Sequence, residues 1–156
     1  MARGIGRVIV AKIDGKGKRI KGKLSTWIAA HPGERYFDSL PEYEVWDYLN
    51  EHKVTHEYEK ELMLYDATYV TEFVPGDKKK GTAAKIVKTK QRPIRYTPDY
   101  YLPEYDTYIE VKGWADELFK MRWKLFKLAG YTGYLVYSLE DFVEVLKLLK
   151  ASTTQQ

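Results

Sequence analysis

Two short stretches of this sequence carry side chains able to do hydrolytic chemistry together: Pro98-Asp99 and Glu110-Val111-Lys112, with ten residues between the two carboxylates. Thr107 to Lys112 alternates as a strand does, placing Ile109 and Val111 on one face and Tyr108, Glu110 and Lys112 on the other. Asp99 falls on a neighbouring strand, Ile94 to Leu102, joined to it through Pro103-Glu104-Tyr105-Asp106. Adjacent strands lie about 4.8 Å apart, so Asp99 and Glu110 can converge on one cation with Lys112 beside them. Two carboxylates suit a hard, oxygen-liganded ion such as magnesium. The lysine is placed to position or help deprotonate an attacking water, or to neutralise charge on a phosphate. This is equipment for phosphodiester hydrolysis. A bare Glu-x-Lys pattern describes any exposed strand with alternating charges. What sets this one apart is the Pro-Asp on a separate strand and the helix that follows Gly113-Trp114.

A further carboxylate lies on the elements that must position these groups. Asp38-Ser39-Leu40-Pro41-Glu42 predicts a helix start, with Asp38 or Ser39 as cap and Pro41 in the first turn. Val45, Trp46 and Leu49 follow Glu42 at helical spacing, so Glu42 lies on the buried stripe and Glu44 on the outward face. Strands are predicted over Val54 to Leu64 and Thr68 to Val74, with a turn at Pro75-Gly76-Asp77. A basic loop or extended hairpin arm follows. Ala115 to Ala129 reads as a helix with the stripe Leu118, Phe119, Leu125, Phe126 and Ala129, stopped by Gly130. Tyr134 to Tyr137 reads as a short buried strand, and Ser138-Leu139-Glu140-Asp141 caps a last helix through Lys150. The order predicts an α/β fold, a mixed central sheet with flanking helices.

On Pro98-Asp99 and Glu110-Val111-Lys112 the chain resembles the PD-(D/E)xK nuclease superfamily over about residues 38–138. Within it, it looks most like small phage-type endonucleases that include Holliday-junction resolving enzymes and homing-type nucleases. The resemblance implies a single-domain restriction-endonuclease-like αβββαβ core and a magnesium-dependent endodeoxyribonuclease, with manganese able to substitute. It implies that Asp99 and Glu110 hold the metal, that Val111 adds its backbone carbonyl, and that Glu42 assists from the first core helix as a further metal partner, directly or through a bound water. Lys112 would serve the attacking water. The helix after the motif would lend a polar group from Lys120 or Lys124. The implied substrate is branched DNA, in phage-type DNA processing or recombination. A sequence-specific homing or restriction-like endonuclease is the alternative, and a non-catalytic nucleic-acid-binding module a further one. The long insertion at 75–92 departs from the junction-resolving members. A homodimer is one arrangement that would supply two sites for paired cleavage.

Composition narrows the remaining classes. The 156 residues are 44% hydrophobic, enough for a core, and contain no cysteine, which excludes disulfide scaffolds and thiol chemistry. No apolar run approaches the roughly 20 residues needed to cross a bilayer, and the expected location is the cytoplasm, that of a bacterial host if the chain is phage-encoded. Net charge is only +4, yet it is segregated. Residues 3–23 carry Arg3, Arg7, Lys12, Lys16, Lys18, Arg19, Lys21 and Lys23 against Asp14 alone. Residues 78–98 carry Lys78, Lys79, Lys80, Lys85, Lys88, Lys90, Arg92 and Arg95 and no acid. Between them, residues 34–77 hold twelve acids against three bases. Such segregation points to a polyanion, most economically nucleic acid. Residues 1–23 read as a strand from Arg7 to Ile13 and a mobile basic arm, 24–150 as the nuclease domain, and 151–156 as a disordered tail. Gly17 to Lys23 has the spacing of a phosphate-binding loop, but Leu24 replaces the magnesium-binding Ser or Thr, so no nucleotide cofactor is expected. His31, His52 and His56 form no convincing metal set.

Overall fold

The computed structural model describes residues 11–154. They run β1 (Ile13–Asp14), α1 (Leu24–Ala30), β2 (Tyr36–Phe37), α2 (Leu40–Glu51), β3 (Glu57–Tyr58), β4 (Leu62–Tyr65), β5 (Thr68–Val74), β6 (Lys85–Gln91), β7 (Ile94–Tyr96), β8 (Tyr100–Leu102), β9 (Thr107–Val111), α3 (Glu117–Leu128), β10 (Gly133–Val136) and α4 (Leu139–Thr153). The central sheet has the order β10-β9-β8-β3. β9 and β10 are parallel, joined by a crossover through α3, while β8 runs antiparallel to both β9 and β3. Three two-stranded pairs accompany it: β1 with β2, β4 with β7, and β5 with β6. The architecture is a single mixed α/β domain.

Sheet alternation creates two cores. Ile109 and Val111 join Tyr100, Leu102 and Val136 beneath Val45 and Leu49 of α2 and Phe142 and Leu146 of α4. On the opposite face Tyr108 packs with Trp123 and Phe126 of α3 and with Leu62, Leu64 and Tyr96 of the β4–β7 pair. β9 is therefore buried along its whole length. Gly133 permits this closeness: a Cβ there would lie 2.7 Å from the Phe126 ring.

Several expectations need correcting. The stretch Gly15 to Lys23 is not an arm in its described form. Asp14 Oδ1 accepts from the amides of Lys16 and Lys18, both at 2.9 Å, and Ile20 is buried. Gly17, at φ 77°, lets this turn sit against the Tyr43 ring. Residues 7–10 of the expected first strand, together with Arg3, lie outside the described residues. The short helix α1 was not anticipated; it spans seven residues, with Leu24, Trp27 and Ile28 at helical spacing, and buries none of them. The strand expected over Val54 to Leu64 is broken at Glu59, which adopts a left-handed φ of 53° and sends β3 and β4 to different partners. The strand expected over Ile94 to Leu102 is broken at Thr97-Pro98-Asp99, because proline has no amide for a ladder. On α3 Leu118 is exposed and Trp123 is buried in its place. α4 continues to Thr153, where a tail was expected, with the Ser152 and Thr153 hydroxyls donating to carbonyls one turn back. No helix among the described residues is long and apolar enough to cross a membrane.

Candidate active site

The break at Pro98 is what aims Asp99. Asp99 sits between β7 and β8, and its Oδ2 accepts the Val111 amide at 2.7 Å, tying this junction to the end of β9. Glu110 lies one residue earlier on β9, on the face toward α3, and is only 3% exposed. Its Oε1 pairs with Lys112 Nζ at 2.8 Å, as strand periodicity allows for residues two apart. The Lys112 ammonium also lies 5.0 Å from the Phe119 ring centroid. Glu110 Oε2 is buried and has no hydrogen-bond partner. The Tyr96 hydroxyl beside this carboxylate is likewise unpartnered.

Glu42 arrives from α2. Ser39 caps that helix, its Oγ accepting from the Glu42 amide at 3.3 Å, and Glu42 Oε2 accepts from the Asp38 amide at 3.0 Å. Tyr58 donates to Glu42 Oε1 at 2.6 Å, and Tyr100 donates to the Glu42 carbonyl at 2.7 Å, fixing the first turn of α2 to β3 and β8. A cation was the expected partner for this buried carboxylate; backbone and tyrosine donors already serve both its oxygens. Glu44 on the same helix is half-buried.

The three carboxylates and the lysine feel one another. Burial raises Asp99 well above the ordinary aspartate range, the charges of Glu110 and then Glu42 add to this, and the Val111 amide and Lys112 oppose it. Burial also raises Glu42, against the Tyr58 hydrogen bond. For Lys112 burial disfavours the ammonium, but the charge and hydrogen bond of Glu110, with Asp99, outweigh it and raise its pKa. The cluster holds more negative than positive charge, and one buried carboxylate oxygen met at most by the adjacent Tyr96 hydroxyl. Such an atom is expensive to leave unpaired. Among the described residues no three His, Asp or Glu side chains are grouped closely enough to enclose a metal by themselves. A metal would therefore take Asp99, Glu110 and a backbone oxygen such as that of Val111.

Two adjoining clefts reach this cluster. One, of about 510 Å³, is lined by Arg95, Tyr96, Asp99, Glu110, Lys112 and Arg122 among others. The second, of about 420 Å³, is lined by Lys12, Glu42, Asp99, Val111, Lys112 and Trp114 among others. Asp99 and Lys112 border both. From α3 it is Arg122 that lines the cleft, not Lys120 or Lys124: Lys120 pairs with Glu117 at 2.7 Å, and Lys124 is exposed. Arg122 was missed, although its helical spacing from Leu118 and Phe119 puts it on the side that faces the strand motif.

The basic residues divide. Arg95 borders the cleft and bridges Glu61 at 2.8 Å. Lys78, Lys79, Lys80, Lys85, Lys88 and Lys90 are exposed on the β5–β6 hairpin and its loop, and Arg92 follows β6. Arg19 and Lys21 line a separate hollow with Lys12, while Lys16, Lys18 and Lys23 are exposed around the first turn and the start of α1. No family model, curated protein or solved structure matches the chain, so the chemistry of the site rests on its own residues and geometry.

Proposed function

We propose that this protein is a magnesium-dependent DNA endonuclease of the PD-(D/E)xK kind, hydrolysing phosphodiester bonds in branched DNA. The observation that carries the reading is the buried Glu110 carboxylate. One oxygen is bound by Lys112 and the other is met only by the adjacent Tyr96 hydroxyl, beside an Asp99 whose ionisation burial, Glu110 and Glu42 oppose. An array of this kind is stabilised by a cation. The succession α2, β3, β8, β9, α3, β10 supports a restriction-endonuclease-like core, with β4 to β7 as the insertion.

Asp99, Glu110 and the Val111 carbonyl would hold magnesium, with Glu42 behind them; manganese suits the same oxygen set. Bound magnesium supplies Lewis-acid polarisation of the phosphodiester. Lys112, kept protonated by its acidic neighbours, donates charge and a hydrogen bond to a phosphate oxygen as negative charge develops there. Asp99, anchored by the Val111 amide, keeps its free oxygen in the cleft. Arg95 and Arg122 on the cleft wall meet flanking phosphates.

The test is incubation with matched linear, nicked, flapped and four-way DNAs in magnesium, calcium or chelator. Cleavage of branched DNA in magnesium alone is the expected result. Uncut DNA in magnesium, or cleavage that persists in chelator, would overturn the reading. Preferential cutting of one linear sequence would replace branch selectivity with a sequence-specific mode.

A further inference from the structure

We propose that one face of the β5–β6 hairpin is a stacking platform for unpaired nucleotides of the DNA substrate, an inference that rests on the nuclease reading for the identity of the polymer. The register pairs Tyr69 with Lys90, Thr71 with Lys88 and Phe73 with Ile86. Strand alternation puts all six on one face. That face is open: Tyr69 is 66% exposed, Phe73 68% and Ile86 73%. The other face is half-buried at Val70, Val87, Thr89 and Gln91 and exposed at Thr68, Glu72, Val74 and Lys85. Neither hydrophobic core includes a residue of the hairpin. A lone two-stranded ribbon is only marginally stable in water, so apolar rings on its wet face are better explained by an occupant than by packing.

Charge selects that occupant. From residue 68 to residue 91 the hairpin carries Lys78, Lys79, Lys80, Lys85, Lys88 and Lys90 against Glu72 and Asp77. A second copy of the same face would bring lysines against lysines. A polyanion is attracted. Duplex DNA offers phosphates but hides its base faces, whereas unpaired nucleotides offer both phosphates for Lys88 and Lys90 and π-faces for Tyr69 and Phe73. Position agrees, because β6 leads through Arg92-Pro93 and β7 directly into Pro98-Asp99. Unpaired nucleotides held on the hairpin are thus attached to the segment that carries the cleft's aspartate.

The experiment measures binding of the full chain, in chelator, to single-stranded and fully paired oligonucleotides carrying 2-aminopurine. Stacking should quench the probe in the single strand. Tyr69→Ala combined with Phe73→Ala should abolish the quench and weaken single-strand binding by about tenfold or more, with duplex binding within about twofold of wild type. The pair Tyr69→Leu and Phe73→Leu preserves apolar bulk on the hairpin and should lose the quench equally. Equal losses on both DNAs, or an unchanged quench, would overturn the proposal. So would a wild-type dimer in sedimentation that the double variant splits, since the face would then bind a second chain. Magnesium-dependent cutting is scored separately: cutting without a quench removes only the platform, and a quench without cutting removes only the nuclease reading.

Discussion

β9 and β6 are both strands that carry charged and apolar residues side by side, and they do opposite things with their charges. β9 is covered on both sides, by α2 and α4 on one face and α3 on the other, so Glu110 is buried and its charge must be met locally. β6 pairs only with β5 and leaves Lys85, Lys88 and Lys90 in solvent. Charged residues on a strand are therefore enclosed in one place and left in solvent in the other. What decides is the layer that packs on top. A buried carboxylate with an unpartnered oxygen is a strong local demand for a cation. Exposed lysines are separately weak and act by number.

The sharpest way to break this division is at the site. Asp99→Asn and Glu110→Gln should each lower magnesium-dependent cleavage by about a thousandfold, the scale on which a lost preorganised charge acts, while DNA binding in calcium stays near wild type. Single-turnover cleavage and binding measured on the same preparations check this. Cleavage near wild type in Asp99→Asn would remove the site assignment altogether.

Glu42 tests how far the site extends. Glu42→Gln should reduce cleavage by about tenfold, the lower end of what loss of supporting groups around metal ligands produces. It should also destabilise the fold by about 1 kcal/mol, because an amide nitrogen cannot accept the hydrogen bond now made by the Asp38 amide or by Tyr58. Glu44→Gln should do neither. Cleavage rates and thermal unfolding of the two variants decide it. A silent Glu42→Gln would reduce Glu42 to a helix-capping and anchoring residue.

How much of this was legible in the sequence depends on what each signal depends on. Ser39 as helix cap and β5 over Thr68–Val74 were readable because caps and alternation are local. So was the convergence of Asp99, Glu110 and Lys112, which needs only strand spacing and a short connection. The break at Pro98 was signalled by the proline itself, which the strand expected over Ile94 to Leu102 passed over. The break at Glu59 was not legible, because β3 and β4 find partners far along the chain. Nor was the burial of Glu110 and Tyr108, which depends on α3 folding over that face through Trp123 and Phe126. Arg122 was hidden for the same reason: its helix stripe was assigned from hydrophobicity, which put Leu118 inside when it is exposed.

The hairpin supplies the complementary test. Neutralising Lys78, Lys79 and Lys80 together should leave single-turnover cleavage of bound DNA unchanged and weaken binding similarly on every sequence. The salt dependence of binding should flatten by about one unit of slope for each phosphate that no longer meets a lysine. Titrations at several salt concentrations check this. An unchanged slope would mean that these lysines are merely solvated, and the hairpin would keep only its aromatic face as a claim on DNA.

The remaining effect is thermodynamic, and it tests the site without any turnover. Burial and neighbouring carboxylates raise the pKa values of Asp99 and Glu42, so the folded protein holds these protons more tightly than the unfolded chain does. Their contribution to stability is complete below the ordinary carboxylate range and is lost as pH rises through the raised folded values. The metal-free site is therefore under more strain at pH 8 than at pH 5, because more of its carboxylate is ionised and repels. Magnesium binds that ionised form and competes with protons for it. At a magnesium concentration about a hundred times Kd, linkage supplies about 2.7 kcal/mol, which for a chain of this length raises the unfolding midpoint by roughly 5–10 °C. At pH 5 the shift should be distinctly smaller, since protons already occupy part of the site. Calorimetry of the full chain at both pH values measures it. The shift should vanish in Asp99→Asn and survive intact when Lys78, Lys79 and Lys80 are neutralised, separating the buried strand from the exposed one. An equal shift at both pH values, or one that persists in Asp99→Asn, would place the magnesium elsewhere on the chain.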